Sequence, residues 1–120
     1  MHHVALDTRE PHALAQFWSA VLGWPITFDS PEWVVVAADA SHSGLAFQLA
    51  PDHVPPVWGD TARPQQIHLD VMVDDLDVAD PLVVSLGATS LCVDDHVYAD
   101  PSGHPFCLIA RPGWAPPVGS

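Results

Sequence analysis

Positive charge is what this chain has least of. Arg9, Arg63 and Arg111 supply all of its lysine plus arginine, against 15 Asp plus Glu, and the formal net charge is −12. Three scattered arginines build no basic patch, so nucleic-acid and anionic-membrane binding are excluded. Cysteine is scarcer still. Cys92 and Cys107 form neither a CxxC pair nor a disulfide framework, and free thiols point to a cytoplasmic setting. No apolar run approaches the ~18 residues that a membrane-spanning helix needs. The opening Met1-His2-His3-Val4 has neither the basic nor the apolar region of a secretory signal. A phosphate loop, a dinucleotide fingerprint and a Ser-His-Asp arrangement are all missing.

What remains is a chain of 120 residues, 48% of them apolar. That is one domain's length, with enough apolar side chain for a core that needs no disulfide or metal to hold it.

The chain is written twice. His3-Val4-Ala5-Leu6-Asp7 and His68-Leu69-Asp70-Val71-Met72 each read as an opening strand. Each leads through an acidic turn into a helical stretch that ends in Leu-Gly, at Leu22-Gly23 and Leu86-Gly87. From His3 to Gly23 is 20 residues, and from His68 to Gly87 is 19. Phe47-Gln48-Leu49 closes the first half as Phe106-Cys107-Leu108 closes the second.

Between these marks, residues 11–22 place Leu14, Phe17, Trp18, Val21 and Leu22 on one helical face. Asp7 or Thr8 is expected to cap that helix, and Gly23 to end it. Short strands are expected at 24–28 and 33–38, split by Asp29-Ser30-Pro31. In the second half the helix spans 76–86. With Asp77 as its N-cap, Pro81 falls in or just after the first turn, where a missing N–H costs little; an earlier start predicts a kink. Strands follow at 89–93, 95–99 and 104–110, the last two joined by the turn Asp100-Pro101-Ser102-Gly103. Residues 51–65 form a proline-rich linker, and residues 112–120 a loose tail.

The predicted architecture is therefore a single α+β domain, residues 1–120. It holds two tandem βαβββ modules, 1–50 and 66–111, whose sheets combine into one curved mixed sheet around a cup, with the helices outside. Strand alternation then sorts the side chains. Phe47, Leu49, Phe106, Leu108, Val4, Leu6, Leu69 and Val71 suit packing against the helices. His3, Gln48, His68 and Cys107 fall on the opposite face, together with Asp70 and Met72. Two-fold symmetry between the halves would bring the first four together.

At these residues the chain resembles the vicinal oxygen chelate superfamily of glyoxalases, bleomycin-resistance proteins and dioxygenases, over nearly its whole length. The opening His strands, the two Leu-Gly helix ends and the Asp-Pro-Ser-Gly hairpin carry the likeness. More narrowly it resembles a bacterial glyoxalase-like group, through Leu45-Ala46-Phe47-Gln48, Val54-Pro55-Pro56-Val57-Trp58, His68-Leu69-Asp70-Val71 with Val73-Asp74-Asp75-Leu76-Asp77, and 98–108. The resemblance implies a homodimer and a divalent metal (Zn, Ni, Mn or Fe) held by His3, Gln48, His68 and Cys107. Cys107 stands where such relatives usually carry Glu. Neither the carboxylate of a glyoxalase-type lyase nor the two-His-one-carboxylate set of an iron dioxygenase is complete in these four slots. Asp70, on the face of His68, is the candidate to move a proton.

Two functional readings follow. In one, a small-molecule cup binds an apolar or planar ligand through Trp58, Gln48, Asp70 and Met72, and the four polar residues merely line it. In the other, a metal-dependent lyase, isomerase or oxygenase acts on a chelating oxygen-rich substrate. Trp58 either meets the ligand or anchors the linker. An interaction role within a larger assembly is a third, distant reading. Trp18, Trp24 and Cys92 are expected to pack in the core. His12, His42, His53, His96 and His104 are expected at the surface, where His53 or His104 would rim the site, and His2 competes with His3 for the inward slot.

Overall fold

In a computed structural model, which describes residues 1–116, the chain divides into two compact units, Met1–Val54 and Pro55–Ser120. Each is α+β and follows the order β-α-β-β-β. The first contains β1 (Val4–Thr8), α1 (Pro11–Leu22), β2 (Ile26–Asp29), β3 (Trp33–Val36) and β4 (Leu45–Leu49). The second contains β5 (Leu69–Val73), α2 (Leu76–Leu86), β6 (Thr89–Cys92), β7 (Val97–Ala99) and β8 (Pro105–Ala110). Both sheets are mixed. Their strand orders are β1-β4-β3-β2 and β5-β8-β7-β6, and the first pair of each is parallel. The two tandem modules expected from the repeat are present. No helix among the described residues is long and apolar enough to cross a membrane.

Helix α1 forms where the apolar spacing placed it. Leu14, Ala15, Phe17 and Trp18 are buried against the sheet, Pro11 occupies the first helical position with its φ already suited to the helix, and Gly23 ends the helix with φ +69°. The cap differs from expectation. Glu10 is the N-cap and makes no side-chain cap bond, while the Thr8 hydroxyl accepts from the Glu10 N–H at 3.0 Å, one step too early to serve the helix. Trp18 is fully buried, as expected, whereas Trp24 is only half-buried.

Helix α2 corrects a second cap. Asp75, not Asp77, is the N-cap and accepts from the N–H groups of Asp77 and Val78. Pro81 is therefore the sixth helical residue, beyond the first turn, and withholds the N–H that would bond to the Asp77 carbonyl. Only Val83 is buried on this helix, and Val78, Leu82 and Leu86 are exposed. The lone tyrosine of the chain, Tyr98, compensates in part. It is buried in β7, stacks on Phe106 and donates its hydroxyl hydrogen to Asp80 of α2.

The segment after β8 is better tied than a loose tail. Arg111 donates to Asp74 at 2.9 Å and to the Ala115 carbonyl at 3.1 Å, and Ala115 is buried. The rest of the expected tail, 117–120, lies outside the described residues.

Burial, then the Asp80 bond and charge, push the Tyr98 phenol well above its ordinary value. A group whose pKa rises on folding contributes stability below its unfolded pKa and loses it as pH climbs, so the contribution is whole below about pH 10 and fades above it. Melts of the wild type should hold level to about pH 10 and then fall, with tyrosinate absorbance at 295 nm appearing only as the protein unfolds. Tyr98→Phe should melt lower at pH 7 and fall less steeply with alkali. Tyrosinate forming near pH 10 in folded protein would contradict the buried bond.

Candidate functional site

The faces of the strands sort as alternation requires. In β1 and β4, Leu6, Leu45 and Phe47 are buried while Ala5, Asp7 and Gln48 are not or are less so, and Ala46 is covered by Val35 and Trp33. In β5 and β8, Phe106 and Leu108 are buried, and Asp70 and Cys107 are exposed and half-buried. Register then decides which of the outward residues meet.

In the second unit Leu69 lies level with Phe106 and Asp70 with Cys107. His68, two residues before Asp70, shares its face. The result is a cluster: ligand atoms of His68, Asp70 and Cys107 all lie within 4.8 Å of one another. His68 Nε2 is 3.4 Å from Asp70 Oδ1, and both side chains are about half exposed. Burial first, then the charges of Asp70 and Asp95 and a hydrogen bond to Asp70, push the Cys107 thiol up, so it is protonated at neutral pH. Cys92, half-buried, donates to that same Asp95 at 3.5 Å.

In the first unit the register is two residues different. Val4 lies level with Leu45, so Gln48 is level with Asp7 and with Trp33 of β3. His3 stands level with Gly44, whose N–H donates to His3 Nδ1 at 3.0 Å. Four strand residues separate the levels of His3 and Gln48, roughly 13 Å at ~3.3 Å per residue. The repeat predicts that these two face one metal, and the pairing does not bring them together. Partial burial and the neighbouring His2, its ring centroid 3.8 Å away, hold His3 below its ordinary pKa. A neutral His3 whose Nδ1 accepts from Gly44 carries its proton on Nε2, so binding a cation through either ring nitrogen would cost this hydrogen bond.

The donor set that fits a metal is thus imidazole, carboxylate and thiolate from one unit. Three protein donors of these kinds suit a borderline-soft divalent cation with one position left for a ligand. Cys107 must lose its proton to join, which a cation favours.

Trp58 belongs to a loop that closes on itself. The Val57 N–H donates to the Arg63 carbonyl at 2.8 Å, Asp60 Oδ1 accepts from Ala62, and the Arg63 guanidinium donates to the Pro55 carbonyl. Gly103, at φ +89°, seats the loop: a Cβ there would stand 2.3 Å from Pro55 Cβ. Between this loop and the strands lies a cavity of about 400 Å³, walled by Val57, Trp58, Pro64, Gln65, Leu91 and Pro105 among others. Trp58 is 44% exposed, so it walls the cavity without filling it. Met72, half-buried, lies level with Ile109 on β8, beyond the cluster.

Several residues here carry no signal in the sequence: Gln65, Leu91 and Pro105 in the cavity, Asp95 beside Cys107, and Trp33 beside Gln48. His96, expected at the surface, has φ +54° and a buried Nδ1 without a hydrogen-bond partner.

A family model described as a glyoxalase-like domain matches residues 3–109. A glyoxalase-related enzyme from Fulvimarina pelagi is 24% identical, with a TM-score of 0.68 over 100% of this chain and 94% of its own. A glyoxalase/bleomycin resistance protein/dioxygenase family enzyme from Burkholderia phytofirmans PsJN is 18% identical, with a TM-score of 0.70 over 90% and 95%. A fosfomycin resistance protein from Listeria monocytogenes is 10% identical, with a TM-score of 0.66 over 94% and 93%. No curated protein matches the sequence.

Removing the Asp70 charge should let the Cys107 thiol ionise more readily. Asp70→Asn should speed iodoacetamide labelling of Cys107 at pH 8 several-fold, as read by peptide mass spectrometry, because labelling follows the thiolate fraction. An unchanged or slower rate would show that Asp70 does not act on this thiol.

Proposed function

Because the chain belongs to the glyoxalase-like domain family, we propose that it binds a small apolar or planar molecule, and that the binding place is the cavity beside Trp58. One observation carries this reading: a cavity of about 400 Å³ with tryptophan, leucine and proline walls, within the size range of ligand sites and of their usual lining. The acidic chain and the absence of a cationic side chain from that lining favour a ligand without negative charge. The fold does not choose the ligand, since structural neighbours named for bleomycin and fosfomycin resistance share it at low identity. The homodimer implied by the resemblance is part of the reading, and the mass of the particle in solution tests it.

A second reading is favoured by a different observation, the convergence of His68, Asp70 and Cys107. In it the protein is a metal-dependent lyase or isomerase. The three residues would hold a divalent cation, which would supply a Lewis acid for a pair of substrate oxygens. If His68 and Cys107 suffice as ligands, Asp70 is placed to take and return the substrate proton.

Titration with Nile red, a neutral planar dye, tests the first reading. Its fluorescence should rise on binding, and Trp58→Ala should weaken the affinity about tenfold or more, or ~1.4 kcal/mol. A dye signal indifferent to Trp58 would remove the cavity as the site.

Elemental analysis and thermal melts with Zn, Ni, Mn or Fe(II) test the second, because a cation bound only by native protein raises the melting temperature. His68→Ala and Cys107→Ala should abolish the metal-dependent rise, and His3→Ala should preserve it. Equal loss in His3→Ala would point to a different ligand set, and no rise with any metal would end the metal reading.

A further inference from the structure

Of the described residues that wall the cavity beside Trp58, Asp60 alone carries a charge. Its place in the loop is fixed. Oδ1 accepts from the Ala62 N–H at 2.8 Å, and the Asp60 N–H donates to the Val57 carbonyl at 3.0 Å. Among the described residues no cation pairs with this carboxylate; the ion pairs that form use Asp29, Asp39, Asp70 and Asp74. The three arginines of the chain are engaged elsewhere. Arg63, three positions on in the same loop, donates to the Pro55 carbonyl at 2.9 Å, Arg9 to the His53 carbonyl at 3.2 Å, and Arg111 to Asp74 and the Ala115 carbonyl.

The rest of the wall is apolar: Trp58, Leu91, Pro64 and Pro105 suit the body of an apolar ligand. The same wall makes the unpaired carboxylate selective. A neutral ligand filling the cavity would take water from Asp60 and return no counter-charge, and an anion would meet like charge. An ammonium group replaces that water with an ion pair reinforced by hydrogen bonds. The face of the Trp58 ring, itself in the wall, attracts a cation as well. The chain's net charge of −12 draws cations toward the molecule as a whole, and Asp60 supplies the one charge at this cavity.

We propose that this cavity takes an organic cation, an apolar body bearing an ammonium group, with the ammonium paired to the Asp60 carboxylate and the body against Trp58 and Leu91. The proposal rests on the small-molecule reading above and names the ligand class for the same cavity. It separates ligands of one shape by their charge.

Tryptamine and tryptophol make the comparison direct, because they share one ring and one side chain and differ only in ending as an ammonium or a hydroxyl at pH 7. By calorimetry or ligand-observed NMR on the full chain, tryptamine should bind about tenfold more tightly than tryptophol. Asp60→Asn keeps Oδ1 for the Ala62 N–H and removes the charge, so it should bring the ratio close to one while Nile red still binds. Asp70→Asn removes one charge from the same unit outside the cavity wall, and it should leave the ratio as in the wild type. A melting temperature and circular dichroism spectrum matching the wild type establish that each variant is folded. Equal binding of the two probes by the wild type, or a preference for tryptophol, would overturn the proposal. A ratio that Asp60→Asn leaves unchanged, or that Asp70→Asn lowers as much, would place the cation elsewhere and overturn it too, as would failure of both probes in a protein that binds Nile red. Failure of Nile red as well would overturn the small-molecule reading beneath it.

Discussion

A parallel strand pair is joined by slanted, evenly spaced hydrogen bonds, and it can be slid along its length without changing which face a residue takes so long as it moves two residues at a time. That freedom governs this protein. In the second unit β5 and β8 pair Asp70 with Cys107, and His68 comes within reach of both. In the first, β1 and β4 pair Asp7 with Gln48, and His3 is left at the far end beside Gly44. Two modules with matching sequence marks thus present different chemistry on the same face. One gathers three metal-type donors. The other spends its histidine on a backbone N–H.

The second unit also carries the cavity, and the two features share a support. Pro105, in the first position of β8, walls the cavity, and Cys107, two residues on along the same face, joins the donor cluster. The turn that precedes β8 is fixed by Asp100, whose backbone N–H and carbonyl bond to His104 and Gly103 and whose carboxylate accepts from Ser102 and His104. Gly103 in turn leaves room for Pro55, where the Trp58 loop begins. One short hairpin therefore positions the loop, the cavity wall and the strand that bears the thiol. Helix α2 gives this unit comparatively little cover, since only Val83 is buried on it, and the Tyr98–Asp80 bond ties it to the sheet.

Much of this was legible in the residues. The bounds of α1 and α2 followed from apolar spacing closed by Gly23 and Gly87, because helical period and glycine end-signals act over a few residues. The faces of Leu6, Phe47, Phe106 and Leu108 followed from alternation for the same reason. The α2 cap was misplaced because Asp74, Asp75 and Asp77 compete within four positions, and only the backbone geometry at Asp75 selects among them. Strand register was not legible at all. It is set by loops and by packing between distant segments, so the repeat, which matches His3 and Gln48 to His68 and Cys107, gave no sign that His3 and Gln48 are four levels apart. Gln65 was invisible for a related reason: nothing local distinguishes it from Gln66, and only the folded loop buries its amide oxygen.

We propose that His68, Asp70 and Cys107 of the second unit form the chelating set. Backbone amide NMR during titration with paramagnetic Co(II) tests it without a substitution, since resonances close to the ion shift or broaden most. Residues 68–70 and 105–107 should respond first and together, while residues 3 and 44–48 stay sharp until excess cobalt is present. Early, joint perturbation of His3 and Gln48 would contradict it and return the metal to the set that the repeat suggested.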